Sequence, residues 1–542
     1  MLSIGAFAVL AALGVRAGYI ATVKADDLSG MADRQHEVTV EIPAPRGAII
    51  SADGRELAVD THATAVSATP YLIRDKHGTA ERIATAVGLP VAEVERRISV
   101  KGGYASLSRG VDQQRARYLR TLNIPGIDLT DAQKRLYPLG TVAAQLVGMT
   151  DDYGVGIAGF EKNMNTQLTG TAGRRQEARD PFGRALRILD DAEPTPGRTV
   201  TLTLDSAIQQ KTEAVLQKVL EDNNAKAVSA IVMRPSDGAV LALATVPGYD
   251  PNSRATFNPD AERARSITDA YEPGSTFKLV TVAGALEEGL VTPQTVFDLP
   301  GTLTLYDRTL KEAHPRPAVS WDVQKILQDS SNIGTVKIGM LLGPTRIQHW
   351  IQRFGFGAKT GIDFPGEVSG LTMPADQWSG TSILNIPIGQ GVAVTLAQMA
   401  EAYGAIANDG VMVPPHLVKR IGAKAPPHPR GQRIVSVRTS SQLNTMLQKV
   451  VSDDGTGALA RVPGYTVAGK TGTSNKIDPK TGRYTESYVA SFIGFAPATH
   501  PALVVAVMVD EPRAGSYYGG QVAAPAFEQI TQFALQHLHI AP

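Results

Sequence analysis

Three short polar motifs lie far apart in the C-terminal half of this 542-residue chain. They read STFK at residues 275–278, SSN at residues 330–332 and KTGT at residues 470–473. Together they supply hydroxyls, two amines and an amide, which suffice for acyl transfer without histidine or a metal ion. These groups can act together only if the fold brings the three segments to one pocket. That requirement constrains the fold more than any other feature of the sequence.

The first motif carries the candidate nucleophile. Ser275 follows Pro273 and Gly274 and is predicted to begin a long helix. The first N–H groups of a helix have no partners within it and carry partial positive charge, which stabilises an alkoxide or oxyanion. Lys278 lies three residues later on the same helical face. Burial and a second cation, such as Lys470, would lower the pKa of its amine enough for it to act as a base.

The second motif is predicted to handle the proton and the substrate amide. A helix is predicted over residues 323–333, so the motif lies at its end or at the start of another helix. Ser330 would relay a proton between Lys278, Ser275 and the leaving amine, and Asn332 would donate a hydrogen bond to the substrate amide. By itself, SSN is more typical of an ordinary cap or polar turn. The assignment of SSN to an active site therefore depends on the other two motifs. The same holds for STFK, because a serine three residues before a lysine often arises by chance.

The third motif is predicted to bind a carboxylate. It follows the start of an apolar strand at residues 465–468. Lys470 and the hydroxyls of Thr471 and Thr473 can hold an anion, and Gly472 lets a ligand approach the backbone closely. The backbone N–H of Thr473 would join that of Ser275 as an oxyanion hole.

Residues 464–471 also match a different motif, the phosphate-binding pattern G-x-x-x-x-G-K-[ST], letter for letter. A loop of this kind runs straight into a helix whose N-terminus binds the phosphate. Here the chain continues as GTSN and soon reaches turn signals at residues 478–479 and 481–482. No helix is expected to follow, so an ATPase function is disfavoured.

Composition excludes several other functions. The chain has no cysteine, so disulfides, thiol nucleophiles and cysteine-ligated zinc are excluded. The ten histidines show no H-x-x-x-H or H-E-x-x-H spacing, and there is no G-x-S-x-G elbow, so neither a metal site nor an α/β-hydrolase is expected. No cofactor is expected. With 53 basic and 52 acidic residues the net charge is +1, which argues against a nucleic-acid partner.

Residues 2–23 form the only strongly apolar stretch and are uncharged except for Arg16. About 20 apolar residues span a bilayer, and Arg16 can reach the nearer interface with its long side chain. We therefore expect a transmembrane anchor at residues 1–23. The alternatives are a cleaved signal peptide and a buried helix. The basic region that precedes a signal peptide is missing, and residues 21–23 make a poor cleavage site. A buried helix is disfavoured at the extreme terminus, ahead of a polar segment.

Two regions with different sequence patterns follow the anchor. Residues 24–195 mix small strands with short helices and hold no catalytic cluster, which predicts a non-catalytic module that ends in a Pro- and Gly-containing link at residues 193–197. Residues 196–542 alternate irregularly between helices and hairpins, which favours an α+β domain with an antiparallel sheet. A capping box is predicted at Ser206 and Gln209. Helices are predicted near residues 80–87, 91–99, 113–122, 396–407, 439–451 and 526–537, and strands near residues 228–233, 239–245, 488–495 and 502–510.

With these motifs placed, the chain resembles a class B penicillin-binding protein, most closely the cell-division FtsI type. The resemblance covers about residues 1–540. Phe160 departs from the family pattern, which more often has a smaller aliphatic residue there. Besides the three motifs, the resemblance rests on PRGAI at 45–49, RLYP at 135–138, GIAGFE at 156–161, EPGST at 272–276, GQG at 389–391 with Thr395, DEP at 510–512 and YYGG at 517–520.

The resemblance implies a particular α+β architecture. A penicillin-binding/β-lactamase-like transpeptidase domain, an antiparallel sheet flanked by helices, would occupy residues 196–542. An elongated α+β pedestal domain would precede it at residues 24–195, after the membrane helix at residues 1–23.

The resemblance also implies a reaction. Ser275 would attack the penultimate D-Ala carbonyl of a peptidoglycan stem peptide, and D-Ala would leave with a proton delivered through Lys278 and Ser330. An amine of a neighbouring stem would then resolve the acyl-enzyme into a crosslink. Penicillins would acylate Ser275 because their strained amide and carboxylate mimic D-Ala-D-Ala.

Partners and location follow from the same resemblance. The partners would be stem peptides, β-lactam antibiotics, a SEDS-family glycan polymerase of FtsW type and other divisome proteins, and most of the chain would lie outside the cytoplasm at the inner membrane. Three alternatives stay open: an elongation- or sporulation-type enzyme, a D,D-carboxypeptidase or β-lactamase that uses water, and a catalytically idle scaffold or antibiotic sensor. The intact set of Ser275, Lys278, Ser330, Asn332 and Lys470 disfavours the last of these.

Overall fold

The structure is a computed structural model. It describes residues 2–27, 37–179, 185–253, 257–305, 308–428, 430–478 and 480–542. Contacts within the chain are concentrated in two compact units. The first comprises Met1–Gly47, Asp60–Lys134 and Thr166–Arg198, and the second comprises Ala48–Val59, Arg135–Asn165 and Thr199–Pro542. The domain boundaries expected at residues 23 and 195 stay predictions.

The N-terminal helix covers Leu2–Thr22. Its segment Ile4–Thr22 is long and apolar enough to cross a membrane, by length and composition. These 19 residues extend about 28 Å at 1.5 Å per residue, close to the roughly 30 Å of a bilayer's hydrocarbon core. Side chains along the helix are exposed, including Phe7 at 77% and Leu10 at 67%. Within the described residues, the helix therefore leaves its apolar surface uncovered.

In the rest of the first unit, three helices pack on antiparallel strands around a shared apolar core. The Asp75 carboxylate caps the first of these helices by accepting a hydrogen bond from Gly78 N at 3.0 Å. The three predicted helices are confirmed as Lys76–Val87, Val91–Ile98 and Gln113–Leu122, beside the strands Glu56–Ala68, Ala105–Val111 and Ile127–Leu136. A separate antiparallel sheet has the strand order Glu37–Ile42, Gly173–Arg179, Ala185–Ala192.

The second unit is built on a five-stranded antiparallel sheet. From one edge to the other its strands are Val240–Val246, Ala227–Met233, Leu503–Asp510, Tyr484–Ala496 and Ala468–Ile477. The first three are predominantly apolar and every residue in them is buried, as expected of strands covered on both faces. The antiparallel sheet predicted for an α+β domain is confirmed. The third motif lies on the edge strand Ala468–Ile477.

Helices cover both faces of this sheet. On one face, Ser206–Asp222 and Ala524–His537 share an apolar core with the strands, and the rings of Phe492 and Phe527 lie 4.7 Å apart. Truncating a buried phenylalanine of this kind costs about 3–5 kcal/mol of folding free energy. On the other face the helix Leu396–Ala407 is buried along its whole length. The three C-terminal helices predicted from the sequence are thus confirmed, the last two as Val437–Val450 and Ala524–His537.

One predicted helix cap is wrong. The helix Ser206–Asp222 is capped by Asp205, whose carboxylate accepts hydrogen bonds from Ala207 N and Ile208 N, both at 3.0 Å. Gln209 bonds the backbone of Leu243 instead of the start of its own helix. An aspartate one residue earlier satisfies the same orphan N–H groups, so the predicted capping box at Ser206 and Gln209 does not form.

The remaining elements are short strands, helices and 3-10 turns. The paired short strands are Ile49–Ile50 and Val418–Ile421 with Val200–Leu202, Val296–Leu299 with Val319–Asp322, Thr302–Leu305 with Arg308–Lys311, and Val411–Met412 with Gln432–Arg433. The further helices are Lys278–Glu287, Val323–Gln328, Asn332–Arg353, Ala144–Val147, Gly159–Asn163, Asn165–Leu168, Arg265–Thr268 and Gly519–Val522. The 3-10 turns are Pro70–Leu72, Gly274–Phe277, Ala375–Gln377, Ser382–Leu384, Ile386–Ile388 and Ala458–Ala460.

Candidate active site

Ser275 lies in a 3-10 turn, Gly274–Phe277, that leads into the helix Lys278–Glu287. The prediction that the α-helix begins at Ser275 is wrong by three residues, because the chain enters the helix through this tighter turn. Gly274 has a φ of 54°, a left-handed conformation that glycine adopts without steric cost. Its N–H donates to Gly389 O at 3.0 Å. The turn that presents Ser275 is therefore anchored by the GQG segment.

The first motif touches the third. A Cβ at Gly472 would lie 2.9 Å from Pro273 O and 2.9 Å from Thr276 Cγ2, and a Cβ at Gly274 would lie 2.7 Å from Thr473 O. Glycine at both positions lets the turn and the edge strand approach this closely. The sequence hypothesis required these two segments to meet, and in the structure they do.

The second motif lies in a break between two helices. Val323–Gln328 ends just before it, and Ser331 caps the following helix, Asn332–Arg353, by accepting a hydrogen bond from Gly334 N at 3.0 Å. Ser330 between them has a φ of 59°, a conformation that non-glycine residues rarely adopt. The continuous helix predicted over residues 323–333 is therefore wrong. Its interruption turns polar groups of the motif inward.

Those polar groups hold the Lys278 amine. The amine donates to Ser330 O at 2.5 Å, to Ser330 Oγ at 3.2 Å and to Asn332 Oδ1 at 2.8 Å. Among the described residues, every hydrogen bond of this amine goes to the second motif, and none goes to Ser275. Asn332 Nδ2 donates one hydrogen bond, to Lys311 O at 3.1 Å. Within the described part of the chain, the other N–H of this amide group makes no hydrogen bond.

Burial makes Lys278 a candidate base. Its residue is 0% exposed, and loss of solvation lowers the pKa of the amine to about 7, while the negative charge of Glu312 acts in the opposite direction. A lysine with a pKa near 7 is neutral about half of the time at neutral pH. The side chain can then take a proton from a nearby hydroxyl.

Lys470 is the second buried amine of the pocket. It donates weakly to Thr471 O at 3.3 Å and to Thr471 Oγ1 at 3.2 Å. Its pKa lies well below that of an ordinary lysine, first because of burial and second because of the nearby charge of Lys278, while Asp329 opposes the shift. Two amines so placed disfavour each other's charge. An anion bound between them would relieve that repulsion.

Two further hydrogen bonds orient the hydroxyls of the third motif. Thr471 Oγ1 lies 3.1 Å from Thr456 Oγ1, and Thr473 Oγ1 accepts a hydrogen bond from Gly519 N at 3.1 Å. The YYGG segment therefore borders the motif. In it, Tyr517 and Tyr518 belong to a cluster of rings with centroids 4.0–5.3 Å apart, which also includes Tyr488 and His314.

Sequence reasoning assigned no role to two acidic residues that support the motifs. Glu272 accepts hydrogen bonds from Gly391 N at 2.7 Å and from the Tyr484 hydroxyl at 3.0 Å, and burial raises its pKa. Its place directly before PGST was a signal that could have identified it. Glu312 accepts hydrogen bonds from Ser331 Oγ and Asn332 N. No local pattern pointed to it, because its contacts are made 19 and 20 residues along the chain.

Two segments upstream of the catalytic region have a structural role in the second unit. Arg135 of RLYP and Glu161 of GIAGFE form a buried ion pair, with Nε and Oε1 2.6 Å apart. Phe160 is fully buried and meets Phe364 edge-on, with ring centroids 5.1 Å apart. The larger side chain at this position is accommodated by packing.

The phosphate-loop alternative does not fit the fold. After Lys470 the chain continues in the strand Ala468–Ile477, which pairs in register with the neighbouring strand, Thr473 opposite Ala490. No helix follows the glycine-lysine pair, as predicted, so no helix N-terminus is presented to a phosphate.

Comparison with known proteins gives one consistent result. The family model described as penicillin binding protein transpeptidase domain matches residues 228–532, and that described as penicillin-binding protein dimerisation domain matches residues 41–202. The chain belongs to the class B penicillin-binding proteins, of the FtsI type.

Three relatives illustrate this membership. The penicillin-binding protein PbpB of Mycolicibacterium smegmatis is 33% identical over 99% of this chain and 90% of its own length. The peptidoglycan D,D-transpeptidase FtsI of Escherichia coli is 32% identical over 98% of this chain and 90% of its own. The crystal structure of penicillin binding protein 3 from Mycobacterium tuberculosis, complexed with aztreonam, superposes with a TM-score of 0.73 at 31% identity, covering 93% of this chain and 98% of that one.

Proposed function

We propose that this protein is a serine-type peptidoglycan D,D-transpeptidase that forms its acyl-enzyme on Ser275. The observation that carries the proposal is the placement of the Lys278 amine. It is fully buried, its pKa is about 7, and it is held by the second motif, beside a first motif that touches the third. The name D,D-transpeptidase carried by relatives over nearly the whole chain supports the same activity.

In the proposed acylation, neutral Lys278 takes the proton of the Ser275 hydroxyl as its oxygen attacks the penultimate D-Ala carbonyl. The backbone N–H groups of Ser275 and Thr473 stabilise the oxyanion. As the tetrahedral intermediate collapses, the C–N bond breaks, and the proton passes from Lys278 through Ser330 to the amine of the departing D-Ala. The contacts of the Lys278 amine with Ser330 Oγ at 3.2 Å and Ser330 O at 2.5 Å support this route.

Substrate recognition is assigned to the edge strand. Lys470 with the hydroxyls of Thr471 and Thr473 binds the terminal carboxylate of the stem peptide or the carboxylate of a β-lactam, and Gly472 gives the ligand access to the strand. A bound carboxylate favours the charged form of Lys470, whose pKa is otherwise lowered by burial. Asn332 donates its remaining amide N–H to the substrate amide.

Deacylation separates the proposed function from its nearest alternatives. In a transpeptidase, an amine of a neighbouring stem attacks the acyl carbonyl and restores the Ser275 hydroxyl, whereas water would do so in a carboxypeptidase or β-lactamase. The relatives' names favour transfer to an amine. A septal role is proposed from the FtsI name alone, with an elongation or sporulation role as the alternative.

The remaining proposals concern location and partners. The helix with the candidate span Ile4–Thr22 anchors the protein in the inner membrane, and the rest of the chain lies outside the cytoplasm. A SEDS-family glycan polymerase of FtsW type and other divisome proteins are the proposed partners. Their support is the resemblance to the FtsI type.

The proposed function is tested by the fate of the acyl-enzyme. The full-length protein in detergent is given a donor stem peptide ending in D-Ala-D-Ala together with an amine-bearing acceptor stem. We expect a crosslinked product that is absent with Ser275→Ala and present with Ser440→Ala, a buried serine that donates to Ile406 O. Hydrolysed donor as the main product at high acceptor concentration would instead identify a carboxypeptidase.

A further inference from the structure

Glu312 is a buried acidic residue that lies outside all three motifs yet touches one of them. It directly follows the short strand Arg308–Lys311, and its side chain is only 6% exposed. Its Oε1 accepts a hydrogen bond from Ser331 Oγ at 2.6 Å, and its Oε2 accepts one from Asn332 N at 2.6 Å. Each oxygen of the carboxylate thus accepts a hydrogen bond from the second motif.

These two hydrogen bonds fix the turn that receives the Lys278 amine. The Ser331 hydroxyl donates to Glu312 while it accepts from Gly334 N at 3.0 Å, so its orientation is fully determined. The N–H of Asn332 is one of the orphan groups at the start of a helix, where negative charge is favourable. With the residues on its C-terminal side clamped, the left-handed Ser330 keeps its carbonyl directed at Lys278.

Glu312 also contributes charge to the site. The negative charge of Glu312 acts on the Lys278 amine. The positive charge of Lys278 in turn acts on the Lys470 amine. Asp329 acts on Lys470. Arg316 partly offsets the charge of Glu312, because its Nη2 donates to Oε1 at 2.7 Å. Near the same segment, the rings of His314 and Tyr518 lie 5.3 Å apart and are tilted by 43°.

Arg316 is itself held in place. Its guanidinium donates to Pro317 O at 3.0 Å and lies 4.5 Å from the centre of the Trp321 ring. The Glu312 carboxylate therefore accepts hydrogen bonds both from the second motif and from the Arg316 guanidinium, whose position is fixed. Such a buried pair is costly to desolvate, so its presence beside the catalytic amine suggests a role beyond packing.

We propose that Glu312 is a positioning residue of the acylation reaction, whose carboxylate clamps the SSN turn against Lys278 and supplies the negative charge that this amine faces. The inference rests on the proposed function, since it assigns Lys278 the role of base. It adds a residue from a hairpin that belongs to none of the motifs. It also assigns a role to Ser331, the middle residue of the second motif, because the Ser331 hydroxyl binds the Glu312 carboxylate.

The two effects of Glu312 act differently on the rate, so they can be separated. Replacement by glutamine removes the negative charge, which lowers the pKa of Lys278 further and increases the neutral fraction in acid. The acid limb of the acylation rate against pH is then expected to move to lower pH by about one unit. Loosening of the turn is expected to reduce the plateau rate by roughly 10- to 100-fold.

The experiment measures the second-order rate constant of acylation by a fluorescent penicillin, from pH 5 to pH 9, with the full-length protein in detergent. Glu312→Gln is compared with wild type and with Glu287→Gln. Glu287 is a matched control because its carboxylate bonds Ser436 N at 3.0 Å and Ser436 Oγ at 2.8 Å at the start of another helix, Val437–Val450. Glu287→Gln is expected to leave the midpoint of the acid limb unchanged.

A second variant is expected to shift the acid limb in the opposite direction. Arg316→Gln leaves the charge of Glu312 uncompensated, which raises the pKa of Lys278 and moves the acid limb to higher pH. This variant decides the question if Glu312→Gln does not fold. The proposal would be overturned if the acid limb stayed at the wild-type pH in both variants. If only Arg316→Gln folds, an unchanged acid limb in that variant alone would overturn it. Failure of the wild type to acylate at any pH would instead refute the proposed function.

Discussion

The Lys278 amine lies 2.8 Å from the amide oxygen of Asn332, a residue 54 positions further along the chain. Its other partners are the carbonyl and the hydroxyl of Ser330. All three are neutral acceptors. They orient the amine without the strong stabilisation of its charged form that a directly bonded carboxylate would give. Burial therefore prevails and leaves the pKa of Lys278 at about 7, where a general base is effective.

Lys278→Met should strongly slow acylation while leaving the fold intact. The variant removes the base but keeps a long apolar side chain in a fully buried position. General-base catalysis contributes about 10²–10⁴-fold to a rate, so the acylation rate constant should fall by roughly that factor. The measurement is the labelling rate with a fluorescent penicillin. Lys218→Met, at an exposed lysine paired with Asp222, should react at the wild-type rate. A variant that retains full rate would remove Lys278 from the mechanism.

Burial of Lys278 should also make stability depend on pH. In the unfolded chain its pKa is near 10.5, and in the folded protein it is about 7. Between these values the unfolded state binds more protons, so stability rises with pH across this window and falls as pH is lowered. The difference in Tm, Lys278→Met minus wild type, should therefore become more positive as pH is lowered from about 9.5 to about 7. Scanning calorimetry checks this. A difference that does not change with pH would contradict the lowered pKa.

Gly472→Ala should separate the first and third motifs. The added Cβ would lie 2.9 Å from Pro273 O and would also clash with Ser491 Oγ, so the edge strand or the turn must shift. A displacement of about 1 Å can cost 10²-fold in rate, and we expect a loss of roughly that size in acylation. Gly102→Ala, at a position with open space around it, serves as the control. Unchanged kinetics for Gly472→Ala would show that the close approach is unimportant.

Tyr403→Phe should weaken the support behind the nucleophile. The buried hydroxyl of Tyr403 donates to Thr276 O at 2.9 Å, and its loss removes this donor from the carbonyl. The expected cost is about 1–3 kcal/mol of folding free energy, measured by denaturant unfolding, together with slower acylation. Tyr465→Phe removes a similar bond, to Ile540 O at 2.7 Å, and should affect stability without affecting acylation. Equal acylation rates in both variants would count against a supporting role for Tyr403.

Much of the fold could be predicted because its signals are local. The helix Leu396–Ala407 has a capping box formed by Thr395 and Gln398 and a mostly apolar sequence rich in alanine. The buried strands of the central sheet read as apolar runs bounded by turns. Convergence of the motifs could be predicted from chemistry, since their groups are useful only together.

The features that escaped prediction depend on tertiary contacts. Nothing in the local pattern of residues 323–333 indicates that Ser330 leaves the helical conformation, because the apolar positions continue on both sides of it. The bonds of Glu312 require a hairpin to bring it against residues that follow it in the chain. The 3-10 turn at Ser275 is imposed by contacts with Gly389 and the edge strand. Each of these features is set by packing between distant segments.

The central claim is that Ser275 is the nucleophile of a pocket formed by the three motifs. Its most direct test is peptide mapping by mass spectrometry after the full-length protein has reacted with a penicillin. Ring opening by a serine loses no atoms, so the account predicts one peptide heavier by a whole antibiotic molecule, with the added mass on Ser275. No such peptide should form with Ser275→Ala. An adduct on Ser330 or any other residue, or no adduct on the folded wild-type protein, would contradict it.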